Sequence, residues 1–112
     1  MITTAWRGAY KKNEVGDPNK GCYGLKVPID DREKYFEKDW DYIVLELEGN
    51  VQEFKVNINK SSFWGPSCRE LIHKNIKQWF LKNNISPWER GKPPRIRLEK
   101  INNNRFKALL DK

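Results

Sequence analysis

Residues 42–58 read YIVLELEGNVQEFKVNI, and their alternation decides the fold class. Ile43, Leu45 and Leu47 fall on one side of an extended chain and Glu46 and Glu48 on the other, because successive side chains of a strand point to opposite faces. Gly49-Asn50 supplies a turn, and Phe54, Val56 and Ile58 resume the apolar face on the returning strand. The pattern is that of an antiparallel hairpin with one face for a core and one for water.

Working outward, residues 95–101 and 105–110 form a second hairpin across Asn102-Asn103-Asn104, with Ile96, Leu98, Phe106, Ala108 and Leu110 inward. Residues 2–10 (ITTAWRGAY) are rich in β-branched and aromatic types and read as a first strand, followed by a long polar loop over residues 11–24. Leu25, Val27 and Ile29 alternate with Lys26 and Pro28, which predicts a strand over residues 25–29, with Pro28 at an edge or end. Asp30 and Glu33 have capping-box spacing, so residues 31–38 are expected as a short helix that turns Tyr35 and Phe36 to the core. Residues 59–66 (NKSSFWGP) read as a loop. Ser67 and Glu70 predict a second cap, opening one long helix with Cys68, Leu71, Ile72, Ile76, Trp79 and Phe80 on its buried side. Arg69, Lys74, Lys77 and Lys82 fall mostly elsewhere on it, and Pro87 ends the region. The expected fold class is α+β, mainly β with two helices.

The length of 112 residues fits one domain, and 38% hydrophobic residues suffice for a core. No apolar run is long enough to span a bilayer and no signal pattern opens the chain, so a cytoplasmic protein with no membrane association is expected, with Cys22 and Cys68 reduced. With His73 the one other candidate, Cys and His alone cannot assemble a four-ligand zinc site, and no metal or cofactor is implied. The net charge of +7 is uneven. Residues 1–30 carry five basic and three acidic groups, residues 31–50 three and seven, and residues 51–112 fourteen and five. A basic C-terminal half beside an acidic middle suits a polyanionic partner, although lysine-rich surfaces also occur for solubility alone.

The order of these elements resembles the DNA-binding pseudobarrel superfamily, which includes the plant B-three-type transcription-factor domains and the effector-binding domains of some restriction endonucleases. The likeness runs through residues 25–36 (LKVPIDDREKYF), the 42–58 hairpin, the Trp-containing loop, the helix with Trp79, and WERGK at residues 88–92 leading into a strand. Residues 62–79, with Phe-Trp-Gly before Ser-Cys-Arg-Glu-Leu-Ile, look closer to the bacterial members. The resemblance implies a seven-stranded open pseudobarrel that presents two arms to the major groove of double-stranded DNA. It also implies a restriction-related or regulatory role, with a monomer the expected state. By position the arms would be residues 11–24 and residues 57–66.

The residue types suit that task. The first arm carries Lys11, Lys12, Asn13, Glu14 and Lys20, and the second Asn57, Asn59, Lys60, Ser61, Ser62 and Trp64. Lys and Ser fix register on phosphates, whereas Asn can pair with adenine and Glu can accept from cytosine. Arg7, Arg90 and Lys92 are further candidates for a guanine edge or a phosphate. Asn, Ser, Gly and Lys are also what ordinary surface loops contain. The tryptophans Trp6, Trp40, Trp79 and Trp88 read as packing residues, and Phe63 and Trp64 as tucked against the helix.

Three other readings stay open. Asp41 with Glu53-Phe54-Lys55 has the outline of a magnesium-dependent nuclease, two acids holding the metal and a lysine assisting water. An acid and a lysine two apart are equally ordinary cross-strand pairing material. Single-stranded nucleic acid could stack on exposed aromatics, although Glu46, Glu48 and Glu53 would repel phosphate from the central hairpin. A non-nucleic-acid interaction domain is the third.

Overall fold

A computed structural model describes residues 1–50 and 52–110. Seven strands form one mixed sheet in the order β4-β3-β7-β6-β1-β2-β5. They are β1 (Ile2–Gly8), β2 (Cys22–Lys26), β3 (Tyr42–Leu47), β4 (Phe54–Asn57), β5 (Glu70–Ile72), β6 (Arg95–Asn102) and β7 (Arg105–Leu109). Every pairing is antiparallel except that of β3 with β7. The sheet is not closed, yet it curls so far that its edge strands β4 and β5 approach each other without pairing.

Both predicted hairpins form, with Val51 outside the described residues. Ile43, Leu45, Leu47, Val56, Ile58, Ile96, Leu98, Phe106 and Ala108 are buried, and Phe54 and Leu110 pack at the margin. Gly49, at φ 87, occupies the left-handed region that the turn requires, which a side chain would disfavour. Burying these alternating residues against the helices supplies most of the stabilisation, at about 1.5–3 kcal/mol for each large apolar side chain. Phe36 stacks flat on Phe106 at 4.6 Å and packs against Phe63 at 5.4 Å, tying three distant segments together.

The helices depart from expectation. There are three α-helices among the described residues, not two: α1 (Ile29–Tyr35), α2 (Ser61–Trp64) and α3 (Lys74–Lys82). Helix α1 starts earlier than Asp30 would set it, with Pro28 at the N-cap and no side-chain cap, and Asp30 and Asp31 lie in the first turn. Ile29, expected inward on a strand, is therefore exposed, and the strand before it ends at Lys26. One helical turn, α2, interrupts the expected 59–66 loop.

The larger correction is at residues 67–73. The second capping box does not form a helix start, and Cys68 is exposed instead of facing the core. Residues 70–72 are strand β5, with Leu71 opposite Leu25 and Ile72 opposite Gly24. A three-residue apolar run fits either period, and the open edge of β2 decides it by offering backbone partners that a helix would leave unsatisfied. Gly24 matches this edge closely: a Cβ there would lie 2.4 Å from the Leu71 carbonyl oxygen.

Helix α3 is capped by His73, whose Nδ1 accepts from the Asn75 N–H at 3.0 Å while the ring packs on Phe54 at 4.4 Å. Accepting at Nδ1 requires the neutral ring. Burial, and after it the adjacent Lys74 charge, lower the His73 pKa from its ordinary 6.5. The neutral ring is thus favoured in the folded chain, so its stabilisation is complete above pH 6.5 and is lost as pH falls through the lowered folded value. In denaturant melts at pH 7.5 and pH 5, His73→Asn, which caps without titrating, loses less stability on acidification than the parent chain. His73→Ala costs about 1 kcal/mol at pH 7.5.

Candidate nucleic-acid interface

The first arm, between β1 and β2, is folded around one side chain. Arg7, at the end of β1, donates from Nε to the Lys20 carbonyl (3.2 Å) and from Nη1 to that of Val15 (2.8 Å). Its Nη2 donates to the carbonyls of Glu14 (3.1 Å), Asp17 (2.6 Å) and Lys20 (3.0 Å). From the other side Lys77 of α3 donates to the Asn19 (2.5 Å) and Gly21 (3.0 Å) carbonyls, and the Tyr23 hydroxyl to that of Pro18 (2.8 Å). Gly21 sits at φ 89 with the Gly8 carbonyl 2.6 Å from where a Cβ would be, so the neck of the arm admits glycine alone.

This geometry sorts the expected first-arm residues. Lys11, Lys12, Asn13 and Lys20 are exposed on the arm. Glu14 folds back, its carboxylate accepting from the Lys11 N–H at 2.7 Å as a short 3-10 turn begins. Arg7, expected at a base edge or phosphate, has its guanidinium nitrogens occupied by carbonyls and acts as the arm's internal support.

The second arm, after β4, is held in the same manner by Arg32 of α1. That buried side chain donates from Nη1 to the Phe63 (2.9 Å) and Gly65 (2.7 Å) carbonyls, and its Cζ lies 5.4 Å from the centre of the Trp64 ring. Trp64 is fixed edge-on, its Nε1 donating to the Ile58 carbonyl at 2.9 Å, so it packs as expected. Asn57 accepts from the Asn59 N–H (2.9 Å), and the Asn59 amide donates to Asp41 (3.1 Å). Ser61 and Ser62 are exposed on α2, and a shallow hollow of about 350 Å³ gathers Asn59, Lys60, Ser61 and Trp64 with Lys38. Sequence reasoning missed Lys38, which lies 21 residues upstream of Asn59, and the support role of Arg32. Arg32 stands in a run of charged residues, Asp30 to Lys34, so nothing in the sequence marked it for burial.

Arg90 and Lys92 lie on the loop between α3 and β6. Lys92 pairs with Glu89 at 3.6 Å on the surface, whereas Arg90 borders a cavity that also receives Arg7 and Lys12. The nuclease trio is not assembled. Asp41 precedes β3, whereas Glu53 lies just beyond the far end of β4, about 17 Å away at roughly 3.4 Å per strand residue. Glu53 and Glu46 both bind Arg105, the latter at 3.3 Å, and Lys55 lies 4.7 Å from the Tyr42 ring centre. Among the described residues no group of three or more His, Cys, Asp or Glu side chains is placed to hold a metal ion, and no helix is long and apolar enough to cross a membrane. Cys22 and Cys68 are free and exposed.

Comparison with known protein families, curated proteins and solved structures finds no match. The candidate interface therefore stands on its own geometry.

Arg7→Ala removes five hydrogen bonds to one loop, and even Arg7→Lys cannot reproduce a planar fork of donors. Hydrogen exchange should accelerate at least tenfold in residues 9–21 of Arg7→Ala, with the protection of β3 and β7 changed much less. Equal acceleration throughout would mean that Arg7 supports the whole fold.

Proposed function

We propose that this chain is a duplex-DNA-binding module of pseudobarrel type, which sets its two arms against the major groove as a monomer. The observation that carries the reading is the way both arms are built. Each is pinned from behind by one arginine that takes up backbone carbonyls, Arg7 for the first and Arg32 for the second, and each turns Lys, Asn or Ser side chains outward. A loop ordered beforehand avoids the entropy loss of ordering on the partner, at about 0.5–1.5 kcal/mol per immobilised side chain.

The curl of the sheet supports a jaw. Through the chain of pairings β1 and β4 run in opposite senses, so a flat sheet would send the arms to opposite edges. A twist of about 20–25° per neighbour, over the steps β1-β6-β7-β3-β4, turns those strands by about 80–100°. In this reading the twist brings the arms toward adjacent sides of the sheet.

Within this reading Lys11, Lys12, Lys20, Lys38 and Lys60 contact phosphates, and Ser61 and Ser62 add neutral donors. Asn13 is the strongest base-reading candidate, exposed at the tip of the first arm. Asn59 reads with less freedom because Asp41 holds its amide. Arg90 and Lys92 extend the basic rim.

The test is selection from a randomised duplex pool at two salt concentrations, with magnesium and single-stranded competitor present, followed by sequencing of the bound fraction. The expected result is an enriched motif in uncleaved duplex. Lys60→Ala lowers affinity for all sequences and reduces the slope of log K against log salt by about one. Asn13→Ala changes base preference at one position, by about 1–3 kcal/mol of discrimination. Loss of affinity without any change of preference in Asn13→Ala would remove the reading role of the first arm. Absence of salt-sensitive binding would remove the function.

A further inference from the structure

Behind the first arm lies a cavity of about 690 Å³ whose aromatic walls the two-arm reading does not use, although its rim shares Lys12 and Arg90 with that reading; it lies between the end of β1, the arm itself and the loop that follows α3. Its walls include the rings of Trp6, Tyr10 and Trp88, and its cations are Arg7, Lys12 and Arg90. Among the described residues no acidic side chain lines it. The nearby carboxylates of the arm turn onto their own backbone, Glu14 to the Lys11 N–H and Asp17 to the Asn19 N–H, and neither is among the lining residues.

The cavity walls are held in place. Trp88 packs edge-on against Tyr23 at 5.9 Å and Phe80 at 6.1 Å, and is half-buried. The Arg7 guanidinium lies 4.2 Å from the centre of the Tyr10 ring and has carbonyls as its hydrogen-bond partners, with no carboxylate among them. It forms no ion pair among the described residues, and the carbonyls that take up its donors leave it a wall of the cavity more than an anion ligand. Trp6 lies across Gly8, where a Cβ would stand 2.4 Å from the indole Cζ2, so the missing side chain sets the place of that ring. Lys12 and Arg90 are exposed at the rim and, among the described residues, form no ion pair.

We propose that this cavity binds a single nucleotide, its base against the aromatic walls and its phosphate at Lys12 and Arg90. Flat rings recognise a base by its π-face whatever its identity, and two exposed cations that form no ion pair among the described residues, Lys12 and Arg90, favour an anion. The volume falls within the range of small-molecule sites, about 300–1,000 Å³. A base carrying a phosphate can come from two sources, a free mononucleotide or a nucleotide turned out of a bound duplex. The first source is independent of duplex binding, so the two proposals can fail separately.

Calorimetric titration of the full chain with adenosine 5′-monophosphate, adenosine and inorganic phosphate tests the site, with Lys60→Ala as the control in the other arm. The monophosphate should bind at least tenfold more tightly than adenosine or phosphate. Arg90→Ala should weaken it about tenfold, Trp6→Leu and Gly8→Ala should each weaken it several-fold, and Lys60→Ala should leave it unchanged. A second measurement places 2-aminopurine in a duplex and follows its emission. A rise at saturating duplex occupancy that Trp6→Leu abolishes assigns the site to an everted nucleotide, and monophosphate binding without that rise assigns it to the free ligand. Phosphate binding as tight as the monophosphate and indifferent to Trp6→Leu would reduce the cavity to a plain anion site and overturn the proposal. So would absence of both monophosphate binding and the emission change.

Discussion

Strand β3 lies parallel to β7, with Leu45 opposite Phe106 and Leu47 opposite Ala108, and at this pairing two hairpins from distant parts of the chain become one sheet. Without it β4-β3 would be a lone hairpin beside a five-stranded remainder, and an isolated two-stranded hairpin is marginal in water. The seam is reinforced on both faces. Inside, Phe106 stacks on Phe36. Outside, Arg105 binds Glu46 and Glu53, and Asn104 donates its amide to the Tyr42 carbonyl at 3.1 Å. Because the outer pairs are partly solvated, the apolar interior carries most of the energy and the ion pairs chiefly favour one register.

The seam also positions the two arms of the candidate interface. It sets where β4 ends, and hence where the second arm begins, while the same sheet carries β1 to the neck of the first. At both places a guanidinium answers a problem common to long polar loops, whose inward carbonyls lose water without gaining a ladder. One planar group with several donors can satisfy a group of carbonyls that point at one spot. Order in the arms thus comes from carbonyl capture, and it leaves the lysines, serines and Asn13 facing outward.

Much of the sheet was legible because its strands carry their own period. Residues 42–58 and 95–110 alternate cleanly, and Gly49 and Asn102-Asn103-Asn104 mark their turns. Strand β5 was not legible, since Leu71-Ile72 is too short to show a period and lies against a genuine helix. The cap at His73 was hidden for a related reason. Histidine is a weak N-cap signal, and its Nδ1 serves here because burial, with the ring packed on Phe54, and after it the Lys74 charge favour the neutral ring. The nuclease outline failed on register, because closeness in sequence across a hairpin says nothing about which end of it each acid occupies.

The sequence by itself determined the β-rich class, the two hairpins, the inward face of each and the placing of excess positive charge in the C-terminal half. These are properties of neighbouring residues, and a period or a composition reports them directly. The tertiary structure alone decided which basic groups support and which face outward. Arg7 and Arg32 look no different in sequence from Arg90, yet the first two meet carbonyls 7 to 33 residues away and Arg90 does not. A guanidinium takes whatever acceptors the fold converges on it, and that convergence comes into being only when the sheet curls.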